Sequence, residues 1–600
     1  MPKQPDKARG SEIEEFKIDR SGVDVCPHKA YYHPGEELEI TADLPDTTRA
    51  GFIAELAIRC LDETVAVLRQ PIPQTVSSSG RPGPYSIPRP RLVFRWQAPK
   101  ADMAGFGLDL RLLDEDGRTV IEGSGAVDVL ADWTRAPRYG FLSDFFPEEV
   151  GEVSDSEARI AALNRYHINV VQFYDWMYRH HQFLPPEEIF VDPLGRRLSL
   201  ATVRRRINQV HHYGMDALAY GAVYAAQPDF YREHPDWGLY KNNNEPFDLA
   251  KFINIMDPSG GSPWPDHLFA QYGEALDLGF DGIHMDQYGF PKDAFVKKEG
   301  KRHLIRLAEV FPKLIDRARL RLQPETPSVK LIFNCVNNWP VSSVAGSSQD
   351  ATYIEVWPPN DTYYDLKQLI RNARTLNPDK QVILAAYIAP LANPSPGGGE
   401  EGGEIAARLA TAAIAASGGF HLVMGEGDGM LTDAYYPKYR RIRPEFAMIM
   451  RGYHDFIVRY ENLLYDPALV DLSETHTGGI NEEYQVEGCH ASPKALPDSV
   501  WITAKEKPGY KVINLVNLAG IEDVFWNRAK TNPPRPVNHI AVSLLVEEEV
   551  AGVYLASPDR RHGRAQKVAY EFVSHARGNL LRFAIDELQY WDLVFIKTIS

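Results

Sequence analysis

An alternation of apolar strands and amphipathic helices through the middle of the chain constrains its fold more than any other feature. Eight segments have strand character: 139–146, 168–176, 216–222, 280–286, 329–336, 351–357, 381–388 and 419–426. Helical patterns separate them, as at 200–213 and 404–416. Eight strand–helix units in a row favour a parallel sheet closed into a (β/α)8 TIM barrel over an open doubly wound sheet.

The segments on either side of these units show β-patterning instead. Residues 15–132 contain short strands of period two separated by Pro and Gly, which predicts an immunoglobulin-like β-sandwich. A stretch rich in Ser, Pro and Gly at 77–90 is expected to form a long loop. After a helical stretch at 445–464, β-patterning returns to the end of the chain. The fold class is therefore multidomain α/β and all-β, with an immunoglobulin-like domain at 1–135, a barrel at 136–466 and an antiparallel β-sandwich at 467–600.

Composition and charge exclude several classes of partner. The formal net charge of −16 disfavours a polyanion such as nucleic acid and fits a neutral substrate. No apolar run is long enough to span a membrane. The four cysteines have no paired spacing, so neither a zinc site nor a disulfide framework is predicted. We expect a monomer without metal or cofactor.

The first residues of the chain lack the apolar core of a signal peptide. The sequence as written therefore predicts a cytoplasmic protein, and a secreted one if a signal has been removed.

Two carboxylates lie at predicted strand ends, where a barrel places its catalytic groups. Asp286 ends the segment 280–286, and Glu355 lies near the end of 351–357, each flanked by aromatic residues. Two acids on strands four and six would face each other across the barrel mouth, which indicates glycoside hydrolysis. Separations of about 5–5.5 Å would indicate retention, and about 6.5–9.5 Å inversion. The alternative for Asp286 is a cap on the following helix.

The surroundings of Glu355 suggest an acid/base catalyst. Tyr353 and Trp357 lie two positions away on either side, so a strand directs all three side chains to the same face. Such an apolar setting disfavours the charged carboxylate and raises its pKa, as a proton donor requires.

The surroundings of Asp286 suggest a nucleophile. His284 and Gln287 are close in sequence and could donate hydrogen bonds that keep Asp286 ionised. A retaining mechanism needs one carboxylate in this state and one protonated.

Other polar and aromatic residues near the strand ends are candidates for substrate contact. They are Tyr174, Asp175, Trp176, His284, Gln287, Asn334, Tyr353, Trp357 and Glu426. For the aromatic residues and His284, packing in the interior is the alternative, and for Asp175 a helix cap or salt bridge. The acidic turn 425–429 around Glu426 could hold calcium, but it lacks the ligand spacing of an EF-hand, so substrate contact is favoured.

Three motifs resemble those of glycoside hydrolase family 66: QFYDWM at 172–177, DGIHMDQYG at 281–289 and YIEVW at 353–357. That family comprises endo-dextranases and cycloisomaltooligosaccharide glucanotransferases, with the same three-part layout. The resemblance implies cleavage of α-1,6-glucan with retention. It also implies Asp286 as nucleophile, Glu355 as acid/base and Asp175 as a substrate-binding residue.

The connection after predicted strand seven bears on the choice between hydrolysis and cyclisation. Cyclising members of the family typically carry a carbohydrate-binding module there, whereas this chain has only the Gly-rich segment 389–403. Hydrolysis of dextran to isomaltooligosaccharides is therefore favoured, with 389–403 as a flexible loop at the rim of the cleft. The alternatives are a transglycosylase on the same fold, an α-glycosidase with another sugar specificity, and a non-catalytic carbohydrate-binding protein.

Overall fold

The N-terminal part of the chain forms two antiparallel sheets in the computed structural model, which describes residues 22–45, 48, 51–72, 91–147, 153–392, 399–477 and 483–599. The strands are β1 (Asp24–Pro27), β2 (Glu37–Asp43), β3 (Ile53–Cys60), β4 (Glu63–Pro71), β5 (Arg91–Gln97), β6 (Ala104–Leu113) and β7 (Thr119–Val129). Their sheet orders are β1-β2-β5 and β4-β3-β6-β7. Alternate residues such as Leu38, Ile40, Leu108 and Leu110 form a common core. The loop predicted at 77–90 lies outside the described residues.

A curled parallel sheet follows, and its strand order matches the order of the chain. Its strands are β8 (Tyr139–Leu142), β9 (Val170–Phe173), β10 (Asp216–Ala222), β11 (Gly282–Asp286), β12 (Lys330–Val336), β13 (Ala351–Glu355), β14 (Val382–Ala385), β15 (Phe420–Leu422) and β16 (Met424–Gly425). β15 pairs with β14, while β16 pairs with β8 through Gly425 opposite Phe141. One short segment thus joins the last strand of the sheet to the first.

Seven long helices connect or follow these strands, and the apolar faces of those that connect them cover the sheet. They are α1 (Val153–Arg165), α2 (Leu200–His212), α3 (Trp264–Leu278), α4 (Leu307–Leu322), α5 (Tyr363–Leu376) and α6 (Gly399–Ser417), and α7 (Pro444–Arg459) comes after the sheet. The strands are buried on both faces, as expected of a parallel sheet covered by helices. α5 starts at a capping box in which Thr362 and Asp365 satisfy each other's backbone N–H groups.

Shorter elements occupy the connections. They are Trp133–Arg135, Ile189–Val191, Arg197–Ser199, Ala225–Ala226, Pro228–Glu233, Pro235–Trp237, Asp248–Leu249, Ile253–Ile255, Asp293–Lys298, Lys301–Arg306, Val341–Val344, Ala389–Ala392, Glu426–Asp428, Gly429–Met430, Tyr436–Lys438, Arg440–Arg441 and Glu461–Leu464.

Several predicted boundaries differ from the observed ones. Five predicted strands extend past the observed carboxyl ends, because the chain turns once it leaves the sheet; after β9 this turn includes Asp175 at φ 49°. The helix predicted at 404–416 begins earlier, at Gly399, and the one predicted at 445–464 is two helices separated at Tyr460. Of the Gly-rich connection 389–403, residues 393–398 lie outside the described residues.

The C-terminal part contains two further sheets that share a core. Their strands are Val470–Asp471, Tyr484–Glu487, Ala491–Ser492, Val500–Lys507, Tyr510–Asn517, Val537–Val546, Glu549–Ala556, Gln566–Val568, Tyr570–His575, Gly578–Leu588 and Trp591–Ile599, with a short helix at Ser473–His476 and a turn at Arg561–Gly563. One sheet has seven strands and the other has four. Apart from the parallel pairing of Ala491–Ser492 with Val500–Lys507, the pairings are antiparallel, as the β-patterning predicts.

Helix α7 packs directly on the N-terminal sheet. At Gly105 of β6 a side chain would overlap the carbonyl oxygen of Val458, and at Gly107 it would overlap the guanidinium of Arg459. Arg459 forms a buried ion pair with Asp109 of the same strand. The two glycines therefore let the backbone of β6 approach the helix closely.

A buried group of charges lies where the N-terminal sheet, the start of the parallel sheet and the segment after α7 meet. The Arg138 guanidinium is 2.6 Å from the Asp128 carboxylate and 3.4 Å from the Glu461 carboxylate, and all three side chains are at most 3% exposed. We call Asp128, Arg138 and Glu461 the junction triad.

The described part of the chain contains neither a helix that could span a membrane nor a disulfide bond. No helix there is both long and apolar enough to cross a lipid bilayer. The cysteines Cys26, Cys60, Cys335 and Cys489 are free thiols.

Candidate active site

Asp286 and Glu355 lie at the carboxyl ends of β11 and β13, and β12 runs between these strands. Asn334 on β12 connects them, because its Nδ2 donates one hydrogen bond to Asp286 Oδ1 and another to Glu355 Oε2. The bonds are 2.7 and 3.0 Å long, so these two carboxylate oxygens lie at most about 5.7 Å apart. Both acids are partly exposed at the open end of the sheet.

Three donors surround Asp286. Besides Asn334, the Tyr220 hydroxyl donates to Asp286 Oδ2 at 2.6 Å, and the backbone of Gln287 forms a third hydrogen bond. Burial raises the pKa of Asp286, and these three hydrogen bonds oppose the rise. The donors that the sequence suggested differ in part, because His284 does not reach this carboxylate and Gln287 contributes its backbone instead of its side chain.

Glu355 has a more strongly raised pKa. Burial is the larger cause and the nearby Asp286 charge the next, and together they bring the pKa of Glu355 to about 7. Tyr387 donates to Glu355 Oε1 at 3.0 Å, and the Trp357 side chain adds another hydrogen bond. The direction agrees with the apolar setting that the sequence predicts. Near neutral pH the pair can thus hold one proton, on Glu355.

An aromatic layer underlies the two acids. His284 is 1% exposed, accepts or donates a 2.8 Å hydrogen bond with the Tyr139 hydroxyl, and packs edge-on against Tyr353 at 4.8 Å. Burial lowers the pKa of His284 to about 3, so the imidazole is neutral. The Tyr353 hydroxyl bonds to that of Tyr436. His284 and Tyr353 share the strand face of Asp286 and Glu355 but lie one layer deeper, so they support the acids and do not face the cleft.

Asp175 lies just past the end of β9, beside the same opening. Its Oδ2 is 4.0 Å from Arg196, which also donates to the Asp175 carbonyl oxygen and to Asp192. Burial raises the pKa of Asp175 to about 7 against the opposing charge of Arg196. Next to it, Tyr174 stacks on Tyr436 with ring centres 4.3 Å apart. Asp175 and Tyr174 remain candidates for substrate contact.

The prediction that Trp176 stacks on a sugar ring does not agree with its position. Trp176 is 0% exposed, packs on Phe280 at 4.7 Å and donates its indole N–H to the Tyr220 carbonyl oxygen. The left-handed backbone at Asp175 breaks the strand alternation and turns this side chain into the interior.

Gln287 and Glu426 are also internal. Gln287 is 1% exposed and its amide donates to the carbonyl oxygens of Asn334 and Trp339. Glu426 is 0% exposed and accepts hydrogen bonds from the backbone N–H groups of Ser143 and Asp144. Since the chain leaves β16 in a tight turn, Glu426 joins two loop ends and has no exposed surface. In the described ranges no cluster of His, Cys, Asp or Glu could hold a metal ion.

Trp357 is the aromatic side chain of the predicted set that is most accessible. It is 40% exposed and its ring lies 6.4 Å from that of Tyr387. Its position beyond the end of β13 leaves the side chain partly exposed beside Glu355.

Sequence reasoning did not identify Tyr220, Tyr387 or Arg196 as residues of the site. Tyr220 has the same strand parity as Ala222, which pairs with Asp286, so register could have indicated it. Tyr387 and Arg196 lie beyond strand ends, where alternation no longer predicts direction.

Comparison with known proteins identifies the family of this chain. Residues 27–595 match the model of glycosyl hydrolase family 66. A cycloisomaltooligosaccharide glucanotransferase from Niallia circulans is 26% identical over 96% of this chain and 71% of the relative. A dextranase from Streptococcus salivarius is 22% identical over 82% of this chain and 67% of the relative. The crystal structure of a Paenibacillus sp. cycloisomaltooligosaccharide glucanotransferase complexed with cycloisomaltoheptaose superposes with a TM-score of 0.82 at 25% identity, covering 95% of this chain and 99% of that one. The family match spans nearly the whole chain and includes the strand ends that carry Asp286 and Glu355, so the protein belongs to glycosyl hydrolase family 66.

Proposed function

We propose that this protein is a retaining endo-hydrolase that cleaves α-1,6-glucosidic linkages of dextran to isomaltooligosaccharides. The observation that carries the proposal is the shared hydrogen-bond donor of Asp286 and Glu355, which keeps their nearest oxygens within about 5.7 Å. Retaining enzymes hold their carboxyl groups about 5–5.5 Å apart, whereas inverting enzymes need about 6.5–9.5 Å to admit a water molecule.

The charge states of the two acids fit distinct roles. Asp286 receives three hydrogen bonds that favour its ionised form, so it is the nucleophile that attacks the anomeric carbon. Glu355, with a pKa of about 7, protonates the leaving glycosidic oxygen and then takes a proton from the water that hydrolyses the glucosyl–Asp286 ester. Asp175 would bind hydroxyl groups of the sugar next to the cleaved bond, with Arg196 fixing its position.

The substrate class rests on the relatives. Both the dextranase and the glucanotransferases that this chain resembles bear names that refer to dextran or to isomaltooligosaccharides. The curled sheet, with β15 and β16 joining its two edges, is inferred to be the closed (β/α)8 barrel of the catalytic domain at 136–466. The sheets at 1–135 and 467–600 are inferred to be an immunoglobulin-like sandwich and a C-terminal sandwich.

A transferase is the second candidate, because the glucanotransferases align over 96% of this chain. Hydrolysis is favoured by the short connection between β14 and α6, which leaves no room for an inserted module. The match to one glucanotransferase also extends over 721 residues against 600 in this chain, so that relative carries residues in the matched span that this chain lacks.

The test is a time course of products from dextran beside pullulan, amylose and cellulose. Wild type is compared with Asp286→Asn and with Asp293→Asn, a control at an exposed position after the same strand. Linear isomaltooligosaccharides from dextran alone, first released as the α-anomer in NMR spectra and lost only in Asp286→Asn, would support the proposal. Cyclic products would assign the transferase, β-anomers would indicate inversion, and no action on dextran would exclude both candidates.

A further inference from the structure

Asn334 lies between the two proposed catalytic acids and forms hydrogen bonds with both of them. It is 4% exposed, lies on the strand between the two acids, and donates to both from a single nitrogen. Its Oδ1 is buried and has no hydrogen-bond partner within the described residues. An inverted amide would turn that oxygen toward two carboxyl groups, so the repulsion from ionised Asp286 fixes the observed orientation.

Asn334 is itself held from the nucleophile's strand. The Gln287 amide donates to the Asn334 carbonyl oxygen at 3.1 Å and to that of Trp339 at 3.3 Å, while its own oxygen accepts from the Gly289 N–H. Gln287 directly follows Asp286 in the chain. The backbone that carries Asn334 is therefore tied to the backbone that carries Asp286.

We propose that Asn334 is a positioning residue that fixes the separation of Asp286 and Glu355 and stabilises negative charge on whichever of them carries it. The inference rests on the proposed function of the pair. When the Asp286 oxygen bonds to the anomeric carbon, its charge is consumed, and Glu355 becomes the carboxylate as its proton passes to the leaving oxygen. The negative charge thus moves across Asn334. Because both N–H groups are already in place, the amide need not reorient as the charge moves.

This role predicts a distinctive pH response. The Asn334 hydrogen bonds lower the pKa of Asp286 and of Glu355. Without them both pKa values rise, so the acidic and the basic limb of the kcat/KM profile both move to higher pH. Of the two acids, Tyr220 donates to Asp286 and Tyr387 donates to Glu355, so each tyrosine provides a control for one limb.

The other titratable groups around the pair do not mimic this response. They are Tyr174 and Asp175 after β9, Tyr220 on β10, His284 on β11, Tyr288 after β11, Tyr353 on β13, Tyr387 after β14, and Tyr436. The tyrosines have pKa values raised above 10 and His284 one of about 3, so none of these titrates near neutrality. Asp175 does, at about 7, but it is bonded by neither Asn334 nor Tyr387.

The experiment measures kcat/KM against pH for dextran with Asn334→Ala, Asn334→Leu, Tyr220→Phe and Tyr387→Phe. Asn334→Ala leaves a cavity and Asn334→Leu keeps the volume, so a result common to both reports the lost donor; thermal melting verifies folding. We expect both Asn334 variants to lose roughly tenfold to a hundredfold in kcat/KM and to shift both limbs upward by about half to one pH unit. Tyr220→Phe should shift the acidic limb alone and Tyr387→Phe the basic limb alone.

The outcomes separate the inference from the proposed function. If the tyrosine variants each shift their own limb while the Asn334 variants shift one limb or neither, the bridging role is overturned and the catalytic pair stands. If the tyrosine variants shift neither limb, Asp286 and Glu355 are not the groups that titrate, and the proposed function fails with the inference.

Discussion

The proposed catalytic pair, Asp286 and Glu355, and the junction triad both place two acids around one donor, but the donors and the access to solvent differ. At the cleft, neutral Asn334 bridges Asp286 and Glu355, which are partly exposed. At the junction, the Arg138 cation lies between Asp128 and Glu461, which are at most 1% exposed. In both places burial raises the pKa of the glutamate, and a neighbouring aspartate raises it further.

The comparison shows that a raised pKa alone does not identify a catalytic acid. Glu426 and Asp592 also have pKa values of about 7, and neither lies at the cleft. In the proposed mechanism, Glu355 can deliver its proton to a substrate because the carboxyl group faces an opening. A proton on Glu461 can only hold together the elements that bury it.

Glu355→Gln tests the cleft side of the comparison and has the largest expected effect. Without a proton donor, kcat on dextran should fall by about 10³-fold, and the basic limb near pH 7 should disappear. A 4-nitrophenyl isomaltooligoside needs no proton on its leaving group, so its burst of nitrophenol should be nearly unchanged. A basic limb that persists in the variant would show that another group donates the proton.

Arg138→Met tests the junction side. It leaves two buried acids without their cation, so we expect the free energy of unfolding to fall by about 3 kcal/mol. Arg118→Met, at a side chain that is 78% exposed, should change it by less than about 0.5 kcal/mol. Denaturant titrations measure both, and the kcat of folded Arg138→Met should equal that of wild type. Equal stability of the two variants would contradict a role for the triad in stability.

Glu461→Gln sharpens the contrast through the pH dependence of stability. Glu461 hydrogen-bonds to Asp128 and its pKa is raised well above 4.5, so the folded state keeps a proton that the unfolded state releases. Stability should therefore fall as pH rises from about 4.5 toward the raised pKa, by up to about 1.4 kcal/mol per pH unit. Glutamine mimics the protonated acid and should remove this slope. The measurement is the denaturant midpoint from pH 5 to 9; parallel curves for wild type and variant would show that Glu461 does not hold the proton.

The sequence predicted the parts of the site that lie on strands. Asp286 and Glu355 were named as candidates because each lies at or near the end of a predicted strand, and the structure places both at strand ends. Asn334 was named as a candidate, but its bridging role depends on β12 lying between β11 and β13, which periodicity alone does not give.

Predictions beyond the strand ends were less successful for a physical reason. Trp176 and Glu426 follow turns in which the backbone changes direction, so strand parity no longer fixes where a side chain points. His284 was placed on the correct face, but parity does not distinguish the exposed layer from the one beneath it. Tyr387 follows β14 and is flanked in the sequence by apolar residues, so nothing marked it as a candidate.

The packing of β6 on α7 also has a consequence for how the protein is made. Asp109 is synthesised 350 residues before its partner Arg459. Until α7 leaves the ribosome, the face of β6 that contains Gly105 and Gly107 lacks the helix that covers it, and Asp109 has Arg59 of β3 as a partner but not Arg459. The first sheets of the nascent chain can therefore form early. They can pack against α7 only after the entire parallel sheet has been translated, because α7 follows that sheet in the chain.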